Sequence, residues 1–110
     1  MKTLLQYSAS IGAASLLLAC GPGLAVPADG DVTRGRQAQA SLTLEELNRG
    51  RASYIAKCSG CHHLYAPSVL DAEGWAHMVS EMRERSNLTH TDERAILTYL
   101  TVMSRRPGGS

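Results

Sequence analysis

Apolar and polar residues follow a helical spacing from residue 42 to residue 104. Within this stretch apolar side chains recur every three or four positions, a spacing that places them on one face of an α-helix. No segment alternates apolar and polar residues with a period of two, so the pattern indicates no β-sheet. We therefore predict an all-α fold, a small bundle of about three helices.

The first predicted helix runs from about residue 44 to residue 58. Thr43 followed by Glu46 is typical of a capping box, in which each side chain hydrogen-bonds the backbone N–H of the other residue. Gly50 lies inside this helix, where a glycine costs about 1 kcal/mol relative to alanine. A glycine at such a position predicts that another helix crosses closely there.

The second and third predicted helices carry the same kind of apolar stripe. Asp71 is a candidate N-cap for the second helix, whose stripe comprises Trp75, Met78, Val79 and Met82. Thr89 or Thr91 is the candidate N-cap for the third helix, whose stripe comprises Ile96, Tyr99, Leu100 and Met103. Arginines, a proline and two glycines follow, so residues 105–110 are predicted to form a disordered tail.

The start of the chain has the features of an export signal. A lysine at position 2 precedes an apolar stretch that is too short, and too polar at its front, for a membrane-spanning helix. Residues 1–19 are therefore predicted to be a signal peptide. Leu18 and Ala19 precede Cys20, which resembles the bacterial lipobox and predicts a lipid anchor on Cys20 in the periplasm-facing cell envelope. An ordinary signal peptide followed by an incidental cysteine is the alternative.

Residues 20–41 contain prolines and glycines and little apolar surface. They are predicted to be the lipidated N-terminus and a flexible linker with an end-to-end distance of roughly 25 Å. Packing of this segment on the helices is the alternative. Residues 42–104 then remain as one domain, of a size that usually needs a metal, a disulfide or a cofactor to complete its core.

Charge argues against one large class of function. The 110 residues contain 11 basic and 10 acidic side chains, for a formal net charge of +1, and the basic ones are scattered along the chain. Nucleic-acid-binding proteins instead concentrate lysine and arginine on one surface. We therefore predict no nucleic-acid partner.

The segment Cys58-Ser59-Gly60-Cys61-His62 is the C-x-x-C-H pattern of c-type haem attachment. Its two thiols can each add to one vinyl group of the same porphyrin, and the adjacent histidine then binds the iron. A thioredoxin-like pair would need a βαβ pattern, a zinc site would need a fourth ligand at the usual spacing, and a disulfide would close a very short loop. We therefore predict a covalently bound haem c on Cys58, Cys61 and His62.

The order of Gly50, Tyr54, the C-x-x-C-H segment, a later methionine and Tyr99-Leu100 resembles the small monohaem cytochromes c of class I. The stretch from Trp75 to Met82 resembles the haem domains that serve periplasmic dehydrogenases such as the sulfite dehydrogenases. The resemblance implies that the first and last helices cross near the glycine, that one haem lies between them, and that a methionine is the sixth iron ligand.

The resemblance also implies roles for single residues. Met82 is the candidate sixth ligand, because it ends the apolar face of the second helix and matches the expected position. The carbonyl of Pro67 would accept a hydrogen bond from the Nδ1–H of His62, and Trp75 would donate its indole N–H to a haem propionate. Pro67 could instead merely end a loop, and Trp75 could be a core residue. Other candidates for the sixth ligand are Met78, His77 and His90.

These features predict a one-electron carrier rather than an enzyme, because a six-coordinate iron leaves no open position for a substrate. The expected partner is another exported redox protein, namely a dehydrogenase, an oxidase or a second cytochrome. Two alternatives remain open. One is a tightly bound haem subunit of a periplasmic dehydrogenase, and the other is a peroxidase or sensor with open or bis-histidine iron.

Overall fold

The computed structural model of the protein describes residues 24–60 and 63–108. The predicted signal peptide, Cys20, Cys61 and His62 lie outside these residues. Within the described residues the chain has no strand, which confirms the predicted all-α class, and no helix is long and apolar enough to cross a membrane. The helices are α1 (Asp29–Gly35), α2 (Leu44–Cys58), α3 (Ala72–Arg85) and α4 (His90–Ser104), with a short 3₁₀ helix at Pro67–Val69.

Side-chain caps set the starts of the three longer helices. Thr43, Asp71 and Thr89 each accept a hydrogen bond from the backbone N–H three residues later, at 3.1, 2.8 and 3.0 Å. Each bond satisfies an amide that a helix start leaves without an intrahelical partner. The predicted range of residues 44–58 and the predicted N-caps Thr43 and Asp71 are confirmed, and Thr89 rather than Thr91 caps α4.

The backbones of α2 and α4 meet at Gly50. A Cβ atom built on Gly50 would overlap the carbonyl oxygen of Ala95 and lie 2.8 Å from Cβ of Tyr99. The predicted close helix crossing is therefore confirmed. One turn beyond the crossing, the rings of Tyr54 and Tyr99 pack with centroids 6.3 Å apart. The residues that are fully buried around this crossing are Leu42, Leu47, Ile96, Leu100 and Met103.

The described part of the N-terminal segment packs on the helices, so the expectation of a flexible linker is wrong there. Leu24, Ala25 and Val32 are buried, and α1 lies against α4. The hydroxyl of Tyr99 donates a buried hydrogen bond of 2.8 Å to the carbonyl of Ala25. A few apolar side chains are enough to hold the segment on the helices, because its backbone is also hydrogen-bonded to side chains of the domain.

Asp31 of α1 joins the N-terminal segment to the end of the chain. Its carboxylate is 3% exposed and accepts hydrogen bonds from Arg34 at 2.6 Å and from Nε of Arg106 at 3.1 Å. These bonds, that from Arg106 above all, hold the pKa of Asp31 well below its ordinary value of 3.8. Arg106 also donates to the carbonyl of Val26, so the predicted disorder of residues 105–110 is wrong at this residue.

Gly50→Ala tests the helix crossing. Alanine gains about 1 kcal/mol in helix propensity, but its Cβ must push the backbones of α2 and α4 apart. We expect a net loss of about 1–3 kcal/mol in the free energy of unfolding, as in other overpacked cores, measured by urea denaturation of the haem-loaded protein. The control is Gly30→Ala, because nothing lies within 4 Å of a Cβ at Gly30. A Gly50→Ala protein as stable as the wild type would contradict the crossing.

Asp31→Asn tests the ion pairs of α1. A depressed pKa in the folded state adds stability above the unfolded pKa of about 3.9, and this stability is lost as the pH falls through the folded value. We expect Asp31→Asn to lower the free energy of unfolding at pH 7 by about 2 kcal/mol, the scale of hydrogen bonds to charged groups. The difference from the wild type should shrink progressively below pH 4.

Urea titrations at pH 7, 4 and 3 measure both effects. Asp29→Asn is the control, because it removes the same charge from an exposed position of the same helix. If the difference between the wild type and Asp31→Asn stayed constant from pH 7 to pH 3, the ion pairs would not contribute as described.

Candidate functional site

A cavity lies between α2, α3 and α4 and encloses about 840 Å³ of empty space, part of which opens to solvent. Its walls are mostly apolar and come from all three helices and from the turn between α3 and α4. The residues that form the apolar surface include Val79, Leu88, Ile96 and Leu100.

Cys58 lines the cavity at the point where α2 ends. It is half-buried, and the exposed residues Ser59 and Gly60 follow it in a turn. Cys61 and His62 lie outside the described residues, so their predicted roles remain predictions. The structure therefore places the first thiol of the C-x-x-C-H segment in the cavity wall.

Tyr54 holds the two ends of the attachment segment together. Its hydroxyl donates to the carbonyl of Tyr65 at 2.9 Å and accepts from the backbone N–H of Tyr65 at 3.1 Å. The donated bond needs the protonated phenol, and burial raises the pKa of Tyr54 to about 12, so the hydroxyl keeps its proton at neutral pH. One side chain thus closes a loop of residues 54–65, which contains the whole C-x-x-C-H segment.

The sequence places Tyr54 on the apolar stripe of the first helix but does not predict these hydrogen bonds. Its position one turn before Cys58 was the available signal, because residues four apart lie on the same side of a helix. The partner was not predictable, because backbone groups of Tyr65 carry no identifying side chain.

The indole of Trp75 hydrogen-bonds the protein rather than pointing a free donor at the cavity. Its Nε1–H donates to the carbonyl of Pro67 at 2.7 Å, and both residues are buried. Tryptophan has a single N–H donor, so this bond replaces the expected donation to a haem propionate. Trp75 is a core residue that also lines the cavity, with its ring packed edge-on against Tyr54 at 6.2 Å.

Pro67 begins the 3₁₀ helix and is buried beside Trp75. A carbonyl oxygen has two lone pairs, so the carbonyl of Pro67 can accept one further hydrogen bond besides that from Trp75. The expected bond from His62 is compatible with this arrangement and stays a prediction.

Met78 and Met82 both line the cavity from the same face of α3, and both are half-buried. Thioether sulfur is an axial ligand of haem iron in cytochromes. The histidine candidates lie elsewhere: His77 is on the exposed face of α3, with Nε2 3.3 Å from Oε1 of Glu81, and His90 is exposed at the start of α4. The cavity therefore brings together both methionine candidates and neither of these histidines.

The donors around the cavity fit a haem. The described lining combines a thiol, two thioethers and an apolar surface with a single charged residue, Arg85. A large apolar ring with anionic carboxylates and a soft-ligand metal matches this set of groups. Elsewhere in the described residues, no three side chains of histidine, cysteine, aspartate or glutamate converge to hold a metal ion.

Comparison with known proteins agrees with this assignment. Residues 54–109, just over half of the chain, match the family model described as dihaem cytochrome c. No curated protein and no solved structure gave a match. The matched range begins at Tyr54 and contains the C-x-x-C-H segment, Trp75 and both methionines of the cavity. The printed sequence has three cysteines and one C-x-x-C-H segment. The chain belongs to the dihaem cytochrome c family and is therefore a c-type cytochrome.

Proposed function

We propose that the protein is a one-electron carrier with one haem c in the cavity between α2, α3 and α4. Membership of a cytochrome c family supports covalent haem and electron transfer. The observation that carries the proposal is the placement of Cys58 and Met82 on the walls of the same apolar cavity. The single C-x-x-C-H segment of the sequence supports one haem.

When bound, the haem iron supplies the redox chemistry by alternating between its ferric and ferrous states. Cys58 and Cys61 would hold the porphyrin through thioether bonds, and His62 and Met82 would bind the iron. With both ligands bound, no coordination position would be left for a substrate. Methionine ligation also raises the reduction potential relative to a second nitrogen ligand.

The residues around the cavity suit a carrier because they limit movement. The Gly50 crossing holds α2 against α4, the hydroxyl of Tyr54 closes the attachment loop, and the bond from Trp75 holds the 3₁₀ turn. Two of these contacts are hydrogen bonds with a largely or fully buried donor, which makes them costly to open. A rigid, largely apolar surrounding changes little when a single charge is gained or lost.

We also propose that Cys20 carries a lipid anchor, so that the domain works at a membrane surface facing the periplasm. Three residues separate Cys20 from Leu24, whose side chain is buried in the domain. This span reaches at most about 14 Å when fully extended, less than the linker expected from the sequence. The partner would be another exported redox protein, bound through a weak and salt-sensitive contact.

Substitution of the three cysteines tests covalent attachment and anchoring separately. In cells competent for cytochrome c maturation, we expect the wild type to retain its haem in acidified organic solvent and on a denaturing gel. The double variant Cys58→Ala/Cys61→Ala should lose this haem and still incorporate labelled palmitate. Cys20→Ala should lose the palmitate and retain the haem, which makes each variant the control for the other.

The purified wild type should also show a reversible one-electron transition in a redox titration. Retention of haem by the double variant after extraction would contradict attachment through these thiols. A wild-type protein that bound carbon monoxide readily in its reduced state would contradict the six-coordinate carrier and favour the peroxidase or sensor alternative.

Met82→Ala tests the sixth ligand. The oxidised wild type should show the weak long-wavelength absorption band that arises from sulfur-to-iron charge transfer. We expect this band to vanish, and the reduction potential to fall, in Met82→Ala. Met78→Ala is the matched control, because Met78 lies one turn away on the same face of α3. Loss of the band in Met78→Ala alone would assign the ligand to Met78.

A further inference from the structure

We infer that Arg85 binds a haem propionate at the mouth of the cavity and thereby raises the reduction potential. The inference rests on the proposed haem site. Arg85 is the only charged residue that lines the cavity within the described part of the chain. Its side chain is exposed, so the cation lies where the apolar lining gives way to solvent.

Two other polar side chains of the described lining are already hydrogen-bonded to backbone groups, and the hydroxyls of Tyr65 and Ser86 carry no charge. The N–H of Trp75 donates to the carbonyl of Pro67, and the hydroxyl of Tyr54 both donates to and accepts from the backbone of Tyr65. The propionate partner expected from the sequence, Trp75, is thereby excluded in this arrangement. Arg85 remains as the charged donor of the lining.

Arg85 is also available for a new partner. Several arginines of the domain are paired: Arg83 lies 3.6 Å from Glu93, Arg49 lies 3.0 Å from Glu45, and Asp31 pairs with two more. No carboxylate of the described residues lies within ion-pair distance of Arg85. A guanidinium beside an apolar cavity, without a carboxylate of its own, is suited to an anion that arrives with the cavity's ligand.

The chemistry of the ligand supplies that anion. A porphyrin of the haem c type is apolar over most of its surface and carries two carboxylates on one edge. A carboxylate next to apolar surface is costly unless it is paired and hydrogen-bonded. The planar fork of arginine donates two parallel hydrogen bonds to a carboxylate, which a single hydroxyl cannot do.

The end of α3 fixes Arg85 at the cavity mouth. Arg85 is the last residue of the helix and lies one turn beyond Met82, on the same side. Asn87 then adopts a left-handed conformation, with φ of 51°, and the backbone N–H of Leu88 donates to the carbonyl of Arg83 at 3.0 Å. This turn brings Leu88 back into the cavity wall, so the rim around Arg85 has a defined backbone.

A cation at this position favours the ferrous haem, which carries one negative charge more than the ferric haem. Removing the charge of Arg85 should therefore lower the midpoint potential. The helix that offers Met82 to the iron would also be attached to the porphyrin edge through Arg85. A single helix turn would then contact both the metal and the carboxylate of the cofactor.

The test compares three variants of the haem-loaded full chain. Spectroelectrochemical titration measures the midpoint potential, and resonance Raman spectroscopy measures the propionate bending band, which responds to hydrogen bonding of the carboxylate. We expect Arg85→Gln to lower the potential and shift the Raman band. Arg85→Lys should recover most of the potential, because it restores the charge. Arg83→Gln is the control, since it removes the same charge from the same helix outside the cavity lining, and should change neither.

The inference is overturned if Arg85→Gln keeps both the potential and the Raman band of the wild type, or if Arg83→Gln shifts them equally. Reduced haem loading of Arg85→Gln that Arg85→Lys restores would support it. A different result would refute the proposed function: a wild type without covalent haem would show that the haem site itself is wrong. A haem-loaded wild type that is insensitive to Arg85 would refute only the role of this arginine.

Discussion

At Gly50 the backbone of α2 rests against the backbone of α4, and the remaining architecture follows from that contact. With no side chain between them, the two helices cross so closely that Tyr54 packs on Tyr99 one turn later. α3 packs against α4 as well, and the three helices enclose a cavity beside the packed core. A domain of this size, with no phenylalanine, leaves space for a large apolar cofactor to complete its interior.

The helices were predictable because their signals are local. Thr43, Asp71 and Thr89 bond to amides only three residues away, so capping chemistry can be recognised within one turn of sequence. The packing of the N-terminal segment has no comparable signal. The bond between Tyr99 and Ala25 spans 74 residues, and the bonds between Arg106 and Asp31 span 75. A segment with few apolar residues looks like a linker until such distant partners are known.

In the candidate site too, local features were predictable from the sequence and contacts that depend on the fold were not. The C-x-x-C-H segment is contiguous, and the shared face of Met78 and Met82 follows from helical periodicity. The hydrogen bond from Trp75 to Pro67 was not predictable, because it depends on the path of the chain through the 3₁₀ helix. The indole N–H was expected to donate to a haem propionate, whereas it donates to a backbone carbonyl of the protein. From the sequence alone, Arg85 belongs to the polar face of α3, and an exposed arginine at a helix end has an ordinary explanation in the helix dipole.

The burial of Leu24 has a consequence for how such a domain would meet its partners. With a lipid on Cys20, the redox centre would stay in a thin layer beside the bilayer, with restricted rotation. Encounters would then occur mainly with proteins diffusing in, or held at, the same surface. Their frequency would depend on the number of partners per unit area of membrane rather than on a bulk concentration.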